Sequence, residues 1–131
     1  MESVQPDLVL VTGASGYVGS HIIQQLLQAG YRVRGTVRSL QNHQKNDFLY
    51  NLVPEKKDNL ELVEANLLNK DCWIPATRGC KYVLHVASPN LMGNPKEELI
   101  VKPAVEGTLN VLNAALQNGV KRVITTSSFL V

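Results

Sequence analysis

The first patterned segment of the chain is an unbroken apolar run, residues 8–12 (LVLVT), closed by Gly13. With no polar alternation, such a run predicts a strand buried on both faces, as in a parallel sheet. The pattern then becomes helical. Val18, Ile22, Ile23, Leu26 and Leu27 fall on one stripe with Gln24, Gln25 and Gln28 opposite, and Gly30 stands where a glycine ends a helix. Residues 31–38 (YRVRGTVR) predict a second strand. Residues 39–58 are polar around a small apolar patch at Phe48, Leu49 and Leu52, which predicts a short helix and a loop. A third strand is expected at 60–65 (LELVEA), a short helix within 69–78 and a fourth strand at 82–87 (YVLHVA). A long helix is expected over 95–117, with Val105, Thr108, Leu109, Leu112 and Leu116 as its inner face. Pro103 should kink or restart it, since proline lacks the N–H and crowds the preceding turn. Asn118-Gly119 ends it, and 120–126 (VKRVITT) reads as a fifth strand.

Strand and helix therefore alternate, which predicts an α/β fold: a doubly wound parallel sheet of five strands with helices on both faces. Nothing in the chain reads as a linker, so residues 1–131 form one domain. A 44% hydrophobic and 18% charged composition excludes a disordered chain. A net charge of +2 implies neither a nucleic-acid nor a membrane partner. The opening MESVQPDLVLV lacks the basic and long apolar regions of a signal peptide. With only Cys72 and Cys80 and no CxxC, the expected setting is reducing and cytoplasmic. His21, His43 and the two cysteines show no metal-ligand spacing, so no metal is predicted.

The first strand runs straight into Thr12-Gly13-Ala14-Ser15-Gly16-Tyr17-Val18-Gly19, a GxxGxxG turn that opens a helix. Glycines there allow a tight turn, close approach of the backbone to a pyrophosphate, and close packing of helix on strand. The unpaired N–H groups and positive dipole end of the helix suit an anion.

The stretch VTGASGYVGSHIIQQLLQAGYRVRGTVRS resembles the opening of the extended short-chain dehydrogenase/reductases, the NAD-dependent epimerase/dehydratase family. Its dihydroflavonol reductase and cinnamoyl-CoA reductase branch is the most similar. CKYVLHVASPN, KPAVEGTLNVLNAALQNG and VKRVITTSS agree in order and spacing. The resemblance implies a Rossmann-type domain, here its N-terminal portion, that binds NADP(H). Thr12, Gly13, Ser15, Gly16, Tyr17, Val18 and Gly19 then form the cofactor turn. Ala87 and Ser88 fall where the family touches the cofactor ribose.

The second strand ends in Arg38, with no Asp or Glu between Tyr31 and Asp47. An acidic residue at this point selects NAD, and a basic one takes the 2′-phosphate of NADP. Arg38 is assigned that role, with Lys45 as a second cation by resemblance. Charge-assisted bonds of ~1.5–3 kcal/mol give roughly tenfold or more preference for NADP. Arg32 and Arg34 are expected to be ordinary surface residues. After the third strand the family carries Asp-Leu against the adenine; here Asn66-Leu67 stands instead. The Asn amide oxygen can still accept the adenine amino group, without the charge. His85, in mid-strand, reads as a core residue rather than a base.

By resemblance, the reaction is reduction of a small carbonyl substrate (ketone, aldehyde or CoA thioester). Ser128 holds the carbonyl, and a Tyr-x-x-x-Lys pair supplies and tunes the proton. None of Tyr17, Tyr31, Tyr50 and Tyr82 has a lysine four residues on. The chain is thus expected to stop inside the active site of a longer NADP-dependent oxidoreductase and to be inactive alone, with its fifth strand left as an unpaired edge. Two other readings stay open: a sugar-nucleotide epimerase/dehydratase or hydroxysteroid dehydrogenase of the same superfamily, and a non-catalytic dinucleotide-binding module.

Overall fold

The structure, a computed structural model, describes residues 6–86 and 97–125; the side chains of Lys45 and of residues 97–104 lie outside the description. Five parallel strands, β1 (Leu8–Thr12), β2 (Arg32–Val37), β3 (Leu60–Glu64), β4 (Tyr82–His85) and β5 (Arg122–Thr125), lie side by side in the order β3-β2-β1-β4-β5. This is a Rossmann-like sheet. Chain order reverses between β1 and β4, which are neighbours in the sheet although β2 and β3 come between them in sequence. Among the described residues, β5 lies at one edge of the sheet and pairs only with β4.

The unbroken apolar run of β1 is buried along its whole length. Val9 and Val11 point to one face, where they meet Ile23 and Leu27 of α1 (Tyr17–Gln28) with Val33, Leu49 and Leu62. Leu8 and Leu10 point to the other, where they meet Trp73 and Ala76 of α3 (Trp73–Thr77) and Val111, Ala114 and Ala115 of α4 (Glu97–Gln117). Each fully buried Leu or Ile stabilises the fold by ~1.5–3 kcal/mol. The polar stretch after β2 contains α2 (His43–Asn46) and two 3₁₀ turns, Asp47–Asn51 and Pro54–Asn59.

Three expectations are corrected. The inner face of α4 is not the leucine stripe. Val105, Leu109, Leu112 and Leu116 are 51%, 51%, 39% and 81% exposed, while Gly107, Val111, Ala114 and Ala115 are buried. Periodicity finds an apolar stripe but cannot choose between two. Here close approach chooses, because a Cβ at Gly107 would sit 2.9 Å from Leu67 Cβ. Small residues therefore face the sheet. Secondly, α4 runs through Pro103 without restarting. One missing hydrogen bond is offset by the packing of the turns that follow.

Thirdly, Arg34 is not an ordinary surface residue. Its side chain is 16% exposed and pairs with Glu61 at 3.1 Å. Its Nη1 also donates to the carbonyls of Ala76 at 2.7 Å and Arg78 at 2.8 Å. The guanidinium thus satisfies carbonyls left open at the end of α3. Arg32 Nε likewise donates to the Pro6 carbonyl, at 2.8 Å.

Candidate cofactor site

In an open α/β sheet the crevice for a ligand lies beyond the C-terminal ends of the strands, where chain order reverses. Here that point is between the ends of β1 and β4, at Thr12 and His85. The glycine turn leaves from Thr12. Gly13 takes φ of 70°, a left-handed conformation that suits glycine. Its N–H donates to Thr36 Oγ1 at 3.2 Å, and the Ala14 N–H donates to the Thr36 carbonyl at 2.9 Å, so β2 pins the turn.

Gly16 is the N-cap of α1. No side chain caps this end and no acidic residue lies in the first turn. Among the described residues no acceptor takes the N–H groups of Tyr17 or Val18. These donors and the helix dipole face the open side of the turn. Ser15 is half-buried, while Gly16, Tyr17 and Val18 are exposed. The Tyr17 ring leans edge-on against His21, with centroids 4.6 Å apart.

Arg38 follows the last residue of β2, is exposed, and joins none of the ion pairs among the described residues. The loop after it is held from below. The Leu40 N–H donates to Glu64 Oε1 at 2.8 Å, and Asn46 Nδ2 donates to the Ser39 carbonyl at 2.6 Å. Lys45 lies in α2, with its side chain outside the description. At the end of β3, Asn66 Oδ1 accepts the Leu68 N–H at 3.0 Å, which closes a turn. The Asn66 carbonyl accepts Trp73 Nε1–H at 3.1 Å. Leu67 rests on Gly107, and its carbonyl accepts Asn110 Nδ2 at 2.7 Å. Ala87, Ser88 and Ser128 lie outside the described residues.

The profile of the NAD dependent epimerase/dehydratase family matches residues 9–131. The chain belongs to that family. Within it the chain falls in the branch of dihydroflavonol and cinnamoyl-CoA reductases. It is 46% identical over 123 residues to tetraketide alpha-pyrone reductase 1 of Arabidopsis thaliana, a match covering 92% of this chain and 37% of the relative. It is 44% identical over 128 residues to cinnamoyl-CoA reductase 1 of Petunia hybrida, covering 98% and 37%, and 43% identical over 122 residues to dihydroflavonol 4-reductase of Zea mays, covering 92% and 34%. Yeast methylglyoxal/isovaleraldehyde reductase, solved in complex with NADPH, superposes with a TM-score of 0.78 at 27% identity, over 93% of this chain and 37% of that one. The chain thus spans about a third of the length of the relatives it matches, and it is the N-terminal, dinucleotide-binding part of this reductase family.

In this member of the family the Thr12 side chain is fully buried and its hydroxyl is engaged by His85 and the Val86 N–H, so Thr12 meets the crevice through its backbone. Reading the sequence alone missed Thr36, Asn46, Glu64, Gly107 and Asn110. All but Asn46, which bonds Ser39 seven residues away, act across 23 residues or more, and no local spacing marks such a pair. Among the described residues no cluster of His, Cys, Asp or Glu could hold a metal ion, and no helix is long and apolar enough to cross a membrane.

Proposed function

We propose that this chain is the NADP(H)-holding portion of a carbonyl reductase. The observation that carries the reading is the first turn of α1, which has no side-chain cap and opens at the reversal point of the sheet, with Arg38, in no ion pair among the described residues, at the end of the neighbouring strand. A Cβ at Gly16 would meet nothing in the chain nearer than the Gly13 carbonyl oxygen at 3.5 Å. The chain's own packing therefore does not demand a glycine there, whereas a pyrophosphate lying against the backbone does. The NADPH held by the yeast reductase supports the same reading.

In this proposal the N–H groups of Ser15, Tyr17 and Val18 hold the pyrophosphate, with Gly13 and Gly19 shaping the turn. Arg38 and Lys45 hold the 2′-phosphate. Leu67 and the remaining lone pair of Asn66 Oδ1 meet the adenine, and Ala87 and Ser88 meet the ribose. When bound, the dinucleotide supplies the hydride for reduction of a small ketone, aldehyde or CoA thioester, whose oxygen Ser128 positions. The proton donor belongs to the part of the family that this chain does not span. The chain alone therefore binds without turnover.

The test is a fluorescence titration of the purified chain with NADPH and with NADH, followed by an assay with an aliphatic aldehyde. The expected result is NADPH binding roughly tenfold or more tighter than NADH, with no consumption of NADPH. Equal affinities would remove the role of Arg38, and absence of binding would overturn the reading.

A further inference from the structure

His85 is a buried ionisable group that the proposed chemistry leaves unused. It is 5% exposed at the end of β4. Its Nδ1 lies 2.9 Å from Thr12 Oγ1, its register partner at the end of β1. Its Nε2 lies 3.5 Å from Thr108 Oγ1 on α4. The same Thr12 oxygen accepts the Val86 N–H at 2.9 Å. One short polar chain thus joins three elements directly beneath the crevice. Gly13, where the glycine turn begins, follows Thr12 directly.

We propose that His85 is a positioning residue, a neutral imidazole that fixes the separation of the β1 and β4 ends and so sets the crevice for the dinucleotide. The inference rests on the dinucleotide reading above. In this proposal the Thr12 oxygen accepts from Val86 and donates its own proton to His85 Nδ1, and the ring carries its hydrogen on Nε2, toward Thr108. Two hydroxyls face the ring, Thr12 from β1 and Thr108 from α4, and its register partner on β5 is Thr125. Burial pushes the pKa of His85 below its ordinary value. Protonation would occupy Nδ1 and remove the acceptor for the Thr12 hydroxyl.

Two measurements on the full chain test this. The first is ¹⁵N NMR of the histidine-labelled protein without cofactor. The expected signature for His85 is a protonated Nε2 and a bare Nδ1 at neutral pH. A protonated Nδ1, or an imidazolium, overturns this proton order whether or not NADPH binds. The second is NADPH titration of Thr12→Val, His85→Gln and His85→Asn, each checked for folding by circular dichroism. Thr12→Val and His85→Gln should weaken NADPH binding about tenfold. His85→Asn should weaken it less, because its amide oxygen replaces the Nδ1 acceptor. Unchanged affinity in Thr12→Val and His85→Gln overturns the positioning role while the dinucleotide reading stands. Failure of the unmodified chain to bind NADPH overturns the dinucleotide reading, and the NMR signature still decides the proton order.

Discussion

Gly19 lies so close to Gly13 that a Cβ built on it would overlap the Gly13 carbonyl oxygen. The two glycines are six residues apart and belong to one turn, but they do different work. Gly13 bends the chain, and Gly19 lets α1 come down onto that bend. Gly19→Ala should therefore destabilise the chain by ~1–3 kcal/mol through overpacking against backbone, read as a lower urea midpoint. Gly16→Ala, with 3.5 Å of clearance, should leave the midpoint nearly unchanged and weaken NADPH binding instead. Equal losses of stability in the two variants would contradict this division.

Arg38→Ala should weaken NADPH binding roughly tenfold or more, the loss of a charge-assisted contact to the 2′-phosphate, and leave NADH binding nearly untouched. Parallel titrations with the two cofactors check it. Because Arg38 joins no ion pair among the described residues, the variant should unfold at the same temperature as the parent.

His85 makes stability depend on pH. Its folded-state pKa is depressed by burial, so below an ordinary histidine value of about 6.5 the unfolded chain takes up a proton that the folded chain refuses. The folded state is then favoured fully above pH ~6.5 and loses ground as pH falls toward the folded pKa, below which this loss stops. Urea midpoints measured from pH 5 to 8 should rise with pH, and His85→Asn should flatten that rise.

The stripe Val105, Leu109, Leu112 and Leu116 on α4 contributes little to this chain's core, because it faces outward. Leu116→Lys should change stability by less than ~0.5 kcal/mol and reduce self-association in sedimentation experiments. Val111→Asp, one helical face away and fully buried, should unfold the chain by placing an unpaired charge in the core.

Much of this molecule was legible in local order. The LVLVT run had to be buried on two faces, and it lies between two layers. The alternation of strand and helix implied a parallel sheet, since parallel neighbours need crossovers. GxxGxxG at a strand-to-helix junction marked the turn, because the need for glycine there arises within a few residues of chain. Arg38 at the end of β2 was legible for the same reason.

What the sequence determined by itself were thus the elements, their order and the residues that stand at their ends. Tertiary structure alone decided which face of α4 is inner, since Leu67 and Gly107, 40 residues apart in number, compete for one space. It decided that Arg34 ties α3 to the sheet and that Thr36 pins the glycine turn. It also turned Thr12 and His85, 73 residues apart, into one hydrogen-bonded pair beneath the crevice. A local pattern records the preferences of neighbours along the chain. Contacts made by folding depend on where distant segments come to rest, and no spacing in the sequence encodes that distance.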